Sequence, residues 1–545
     1  MTGGGPLPLR PGRFPVAALI ALQLLAFPLP NLLLQLRHRD APLLPLLAVQ
    51  AFNAALIVLV PFLFRTPRAA RWVMVPLAAL SFCTLDFLFH FGGMPSTGTY
   101  LSLAGTSARE VLEYLIIKKQ ALLLLALAVA LYALAYSRLA ARCEGAALAR
   151  ARKPVLALCL GAVACFLGWD ALSFDPGRPE PAAAPLPSSF PAGFVLSAER
   201  AYAYCRGLQR RVDGFQFHAY RPAPVADRET YVLVIGESAA ASHWSLGGYP
   251  IDTSARMRKY LASGDLVYFP RTLAQANLTA FALPLIVTPA TPADFAGAFR
   301  VKSLVSAFRE VGFKTYWIEN QEETGAMTEA DFPIFLHIGS SFLHPSYDQE
   351  VLPYLDALLS SLKAKKLIVI HLMGSHVEYG ARVPPGFPAP GVTGTSQGAQ
   401  YDRTLCYTDC VLDEIIRRLS GARGRSFLWY VSDHGQVLRS SEVGHGSLEA
   451  TLDELHVPMF VWANRECRAA APEAFRRLGE RRDRVLSQGV TFPTVLGLGG
   501  VDYPGLDHGR DLSGPAFDAG RKPQVLNGQA RPGRIAAVLE ALSRP

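Results

Sequence analysis

Five short stretches of this 545-residue chain carry residue types that do chemistry together. The first, Tyr231–Tyr249, reads YVLVIGESAAASHWSLGGY, an apolar β-branched run that stops at Gly236-Glu237-Ser238. It places an acid and a hydroxyl where a strand would end. Further on, LIVIHLMGSH carries His371 and His376, SFLWYVS runs into Asp433-His434-Gly435, and Gly444-His445-Gly446 forms a glycine-bounded loop. Glu, Asp and several histidines at the ends of apolar runs make a divalent-metal ligand set, with the nitrogen and oxygen mix that suits zinc. The fifth stretch, Asn277–Pro284, offers a hydroxyl, Thr279, that such a metal could activate.

Each of these residues also has a plainer reading. Gly236–Ala240 lacks the second glycine of a serine-nucleophile elbow, so it is either a strand-to-loop join or a catalytic turn. Thr279 could be a helix cap or a core threonine. His371 falls inside a strand pattern and reads as buried, whereas His376, after Gly374-Ser375, is better placed to face a cleft. Asp433-His434 is the strongest local signal, because an acid-imidazole pair directly after an apolar strand has little packing rationale. His243, His337, His344 and His456 lack such a context and read as ordinary.

These residues need a scaffold that brings strand ends together. Past Arg228, short apolar runs alternate with amphipathic stretches, the signature of an α/β sheet, whose chemistry gathers at the carboxyl ends of its strands. The first third of the chain is different. The composition is 50% hydrophobic and 18% charged with mean hydropathy +0.22, too apolar for an ordinary soluble protein of this length. Five apolar segments, roughly 15–36, 42–64, 72–91, 121–137 and 155–174, approach the ~20 residues that span a bilayer. The fourth is short unless residues 116–120 extend it.

Arg10 and Arg13, then Arg65, Arg68 and Arg71, then Arg138, Arg142, Arg150, Arg152 and Lys153 alternate with the segments. The positive-inside rule puts these on the cytoplasmic side and everything after Phe174 outside, with Arg37 and Arg39 weakly opposed. The net charge of +9 is thereby explained by membrane orientation and anionic lipid rather than by nucleic acid. The expected division is a five-helix transmembrane domain over 1–174 with a long outer loop at 92–120, a linker and interfacial bridging helix over 175–228, and a catalytic domain over 229–545. In the outer loop Ser102, Thr106 and Glu110 recur every four residues, which lines one helical face. That face is either simply solvated or a contact surface for a lipid headgroup amine. Asp86, inside the third apolar segment, is either an intramembrane acid or one close enough to the surface to be hydrated. Residues 175–187 read as linker, and 194–212 as an amphipathic helix that lies on the membrane or packs on a domain. Cys406 and Cys410, four apart in an expected helix, are awkward disulfide partners, and with Cys205 and Cys467 they predict few or no bridges.

Taken in order, Gly236-Glu237-Ser238 with Ser245–Tyr249, Thr279-Ala280, His371–His376, Ser432–Gly435 and Gly444–Gly446 resemble the membrane-bound phosphoethanolamine transferases of Gram-negative bacteria. These enzymes are sulfatase-like members of the alkaline phosphatase superfamily, and the resemblance covers nearly the whole chain. It implies an inner-membrane protein whose sulfatase-like α/β domain faces the periplasm. Zinc would be held by Glu237, Asp433, His434 and the nucleophile Thr279, with His376 and His445 as substrate-phosphate or second-metal ligands and His371 a neighbour. One ion is implied and a second left open. Ser102, Thr106 and Glu110 match headgroup-contacting positions. The implied reaction moves phosphoethanolamine from phosphatidylethanolamine, through a phosphoethanolamine-threonine intermediate, to a lipopolysaccharide core, lipid A or another envelope glycan. The alternative on the same fold is a phosphoglycerol transferase or a phospho- or sulfo-ester hydrolase. The chain departs from the family at Ala240, Ser102, Gln275 and Leu285 and near Thr324. Gln275 and Leu285 replace cysteines of lipid A-modifying members, and Trp317–Gln321 looks closer to members that modify the core.

Overall fold

A computed structural model of the chain describes residues 14–28, 31–33, 43–64, 66–91, 95, 99–100, 118–143, 145–172, 190–209, 214–222, 228–321, 326–336, 347–439, 442–447, 450–527 and 535–543. Ser102, Thr106, Glu110, the 175–187 linker, Arg10, Arg13, Arg37, Arg39, Arg65, Thr324, His337 and His344 lie outside them, as do the side chains of Asp86 and Cys205. Two compact units result, Met1–Tyr100 with Thr106–Ala201, and Leu101–Gly105 with Tyr202–Pro545.

The first unit is helical: α1 (Phe14–Ala26), α2 (Leu43–Leu63), α3 (Pro67–Phe91), α4 (Lys119–Arg142), α5 (Gly145–Leu172) and the start of α6 (Ala192–Gln209). Among the described residues, α4 alone meets both the length and the hydropathy needed to cross a membrane, and Pro15–Ala26 and Leu47–Leu63 are shorter apolar helices. The fourth apolar segment is therefore not short: at 24 residues it reaches about 36 Å. Its side chains sort by polarity in an unusual sense. Leu123, Leu124, Leu127, Leu131 and Leu134 are exposed while Tyr132 and Tyr136 are buried. The Tyr132 hydroxyl donates to Gln23 Oε1 (2.8 Å) and the Tyr136 hydroxyl to the Pro67 carbonyl (2.9 Å). Asn31 likewise grips the Phe190 backbone, donating to its carbonyl (2.8 Å) and accepting from its N–H (2.7 Å). Leucines outside and hydrogen bonds inside is the arrangement favoured where the surroundings offer no hydrogen-bond partner.

The second unit is built on a seven-stranded sheet. Its strands are β1 (Glu229–Gly236), β2 (Leu266–Tyr268), β3 (Lys314–Glu319), β4 (Phe332–Phe335), β5 (Lys365–His371), β6 (Arg425–Ser432) and β7 (Met459–Ala463), in the spatial order β2-β7-β6-β1-β5-β3-β4. β7 runs against the direction of the other six strands. β1 is buried along its whole length because both faces of the sheet are covered. Tyr231, Leu233 and Ile235 enter one core with Phe427, Trp429 and Val431, while Val232 and Val234 enter the other with Leu428 and Tyr430. This period-two division is what the pleat imposes on a two-sided strand.

The register then decides what meets at the carboxyl end. Ile235 pairs with His371 and Gly236 with Ser432, while Glu319 pairs with His371 across β3 and β5. Residues 237 and 433 thus emerge at one level, with 319 and 371 two residues, about 7 Å, behind them. α7 (Thr279–Val287) begins at this edge, where Thr279 meets Glu237, and α8 (Gln397–Ser420), capped by the Ser396 side chain, which accepts from Ala399 N, reaches it with Tyr401. Cys406, Cys410 and Cys467 are free thiols.

Candidate metal centre

Glu237 follows the last residue of β1, and Asp433 and His434 follow the last residue of β6. The register brings one ligand atom of each within 4.8 Å of the others, and all three side chains are buried. Thr279, the first residue of α7, completes the group: its Oγ1 donates to Glu237 Oε2 (3.0 Å) and lies 3.2 Å from His434 Nε2. His434 Nδ1 donates to the Gly435 carbonyl (2.8 Å), which turns Nε2 inward as the free ligand atom. Asp433 Oδ1 accepts from Ser238 N (3.0 Å) and His434 N (2.7 Å), whereas its Oδ2 is buried without a hydrogen-bond partner.

The electrostatics follow from this crowding. Burial, then the Asp433 carboxylate, pushes the Glu237 carboxyl above its ordinary range. Burial lowers the His434 imidazole, but Asp433 and Glu237 outweigh it and the net direction is up. Two buried carboxylates and an imidazole around an orphaned oxygen are a donor set that fits a divalent cation, and the nitrogen-oxygen mix fits zinc.

Ser238 is bound at every polar atom. Its N–H is taken by Asp433, its Oγ donates to Glu237 Oε1 (2.5 Å), and its carbonyl accepts from the Tyr401 hydroxyl (2.6 Å). This holds the residue at φ +55°, a left-handed conformation rare outside glycine. Its hydroxyl orients Glu237 and is not presented as a nucleophile. Gly374 meets the same turn from the other side at φ +50°, where a Cβ would sit 2.8 Å from the Glu237 carbonyl.

The other expected residues divide. His445, half-buried, places its ring 4.1 Å from that of His434, and its Nδ1 is 2.7 Å from Gln436 Oε1. Burial, then His434 and His376, keeps its pKa well below the ordinary histidine value. His376 is half-buried on the loop after β5, close enough to act on the charge of Glu237. His371 lies further back. It is buried, with Nδ1 2.8 Å from Glu319 Oε1, and that carboxylate overcomes the effect of burial to raise it to about 9. His243, which the sequence left as ordinary, is held by Asp402 (2.7 Å), and His456 by the Pro270 carbonyl (2.7 Å).

Several supporting residues gave no clear sequence signal. Gln321 reaches Leu372 O (2.6 Å) and Glu237 Oε2 (3.3 Å). Gln436 donates to the Tyr379 hydroxyl (2.7 Å) while accepting from His445. Buried Glu454 accepts from Asn277 Nδ2 (3.0 Å) and Ser447 N (2.9 Å), tying the loop before Thr279 to the loop after His445. Gln321 sits two residues past the end of β3, at the same carboxyl edge of the sheet.

The sulfatase family model matches residues 229–501. The chain is similar to the phosphoethanolamine transferase EptC of Escherichia coli, 27% identical over 315 residues, 53% of this chain and 54% of that protein. The chain spans about half the length of the curated relatives it matches. The zinc-complexed periplasmic domain of Escherichia coli EptC superposes with a TM-score of 0.51 at 25% identity, covering 57% of this chain and 92% of that one. The integral membrane lipooligosaccharide phosphoethanolamine transferase A of Neisseria meningitidis superposes with a TM-score of 0.73 at 19% identity, covering 92% and 98%. The fold therefore joins an N-terminal membrane domain to a sulfatase-like α/β domain.

Proposed function

The chain belongs to the sulfatase family, and from that premise we propose that it transfers phosphoethanolamine from phosphatidylethanolamine to an envelope glycolipid, lipopolysaccharide core or lipid A. The observation that carries this is the convergence of Glu237, Asp433 and His434 on the Thr279 hydroxyl. These four residues would hold zinc, which when bound supplies Lewis-acid polarisation of a hydroxyl and of phosphoryl oxygens. Thr279 is the nucleophile. Its hydroxyl is already aimed by Glu237 and His434, and the N-terminus of α7 favours the anionic phosphoryl group beside it.

Thr279 gives its hydroxyl proton to Glu237 Oε2 as Oγ1 attacks phosphorus, forming one P–O bond while the bond to diacylglycerol breaks. The leaving alkoxide then takes a proton, a role we assign to half-buried His376 or His445 beside the site. An acceptor hydroxyl or phosphate repeats the displacement and frees Thr279. His371 supports Gln321 and Glu237 from behind rather than touching substrate. In the outer loop Ser102, Thr106 and Glu110 would hold the ethanolamine end of the donor. The five apolar segments span the inner membrane, and the catalytic domain faces the periplasm.

Purified protein incubated with headgroup-labelled phosphatidylethanolamine tests this. Label should be retained on the wild-type chain, with a matching mass addition, and be absent from Thr279→Ala. Label retained in Thr279→Ala would defeat the assignment, and rapid release of free phosphoethanolamine without acceptor would make the protein a hydrolase.

A further inference from the structure

The opposite end of the sheet carries a second charged recess. A cavity of about 500 Å³ opens where β1, β5 and β6 begin, lined by Arg228, Lys363, Lys366, Arg417, Arg418 and Arg423, with Thr230 and a single acid, Asp356. β1 rises about 3.3 Å per residue over eight residues, so this cavity and Glu237 lie roughly 25 Å apart.

The acids near it are already engaged. Asp356 Oδ1 accepts from Arg418 Nε (2.8 Å), and Glu414 binds both Arg417 and Arg418. That leaves Arg228, Lys363, Lys366 and Arg423 without an ion pair among the described residues. Lys366 is the informative member: it is 3% exposed, and its ammonium reaches one acceptor, the Ser361 carbonyl at 3.2 Å. Burial, then Arg228, lowers its pKa, as expected for a desolvated cation beside another. These cations are not needed to close the C-terminus of α8. There Gly421 N already donates to the Arg417 carbonyl and Ala422 N to the Leu419 carbonyl. A buried ammonium under a rim of exposed guanidinium groups is built to be neutralised from outside.

We propose that this cavity is a second anion site, which binds a multiply charged phosphate group away from the catalytic centre. Buried Lys366 and Thr230 form its floor, and Arg228, Lys363 and Arg423 its mouth. The planar forks of the two arginines suit adjacent phosphoryl oxygens, and the volume admits a diphosphate. The phosphate could be a soluble diphosphate or part of a phosphorylated glycolipid headgroup.

Calorimetric titration of the full-length, detergent-solubilised, zinc-loaded protein with inorganic pyrophosphate tests the site. Wild type should show one binding component more than Arg228→Glu/Arg423→Glu, and that component should weaken steeply with salt. Lys363→Ala/Arg423→Ala, confined to exposed side chains, should weaken it about tenfold, so a misfolded glutamate variant does not remove the test. Equal binding by wild type and this variant would overturn the proposal. Micelles of bisphosphorylated lipopolysaccharide separate the sources. If they compete with pyrophosphate for this component, the ligand is a glycolipid headgroup. If pyrophosphate binds and the micelles do not compete, it is a soluble diphosphate.

Discussion

The two ends of one largely parallel sheet hold opposite charges in matching ways. At the carboxyl ends of β1 and β6 lie Glu237 and Asp433, buried, with one oxygen unsatisfied. At the amino ends of β1, β5 and β6 lie Arg228, Lys366 and Arg423, with a buried ammonium on one carbonyl. Burying like charges costs several kcal/mol per ion unless a counter-ion arrives. Neither end is therefore explained by folding stability, and each is suited to a charged ligand. The difference lies in rigidity. The acidic end is fixed by short bonds from backbone N–H groups and by a serine in a strained turn, whereas the basic rim stands on exposed, flexible side chains. Fixed geometry suits a metal and a reaction, and a flexible rim suits binding alone.

Four substitutions probe that contrast. Asp433→Ala should reduce zinc, measured by atomic emission of the purified protein, from stoichiometric to near absent. It should lower turnover on the order of 10⁴-fold, and full zinc content in this variant would break the acidic half of the comparison. Gly374→Ala tests whether the geometry is fixed. The added Cβ presses on the Glu237 carbonyl, so stability should fall by about 1–3 kcal/mol in a denaturant titration, with activity lost alongside. An unchanged midpoint would mean the turn is softer than its contacts suggest. Gln436→Ala releases His445 from its amide anchor and should lower kcat about 10–100-fold with little change in KM. A rise in KM alone would move His445 from chemistry to binding. Lys366→Met should leave the unliganded domain as stable or more stable, by about 1 kcal/mol. A clear loss of stability would show the ammonium to be structural.

The acidic end was legible in the sequence and the basic end was not, for a physical reason. Glu237, Asp433 and His434 each follow an uninterrupted apolar run, so strand direction alone gathers them. Arg228, Lys366 and the Arg417–Arg423 stretch are separated by long intervals and resemble any solvated charges until the fold stacks them. Gln321 showed only within the Trp317–Gln321 resemblance, and Gln436 stayed hidden because a neutral amide in a loop has no spacing signature. Thr279 needed the resemblance, since a lone hydroxyl ahead of an apolar helix is ordinary. In the membrane unit, hydropathy found α4 but placed its limits at 121–137. The helix continues to Lys119 and Arg142 because charged ends break an apolar window without breaking a helix.

One pairing has a consequence for how the protein comes into being. Ser238 N–H and the Asp433 carboxylate, 195 residues apart in sequence, become neighbours only when β1 and β6 lie in register. Parallel pairing over so long an interval is slow, because the chain must close a large loop before any contact repays it. While the polypeptide is still being made, Glu237 exists without its partners and has no grip on a metal. The metal centre can therefore close only after most of the sheet's sequence has been delivered, and a half-made chain has no such centre.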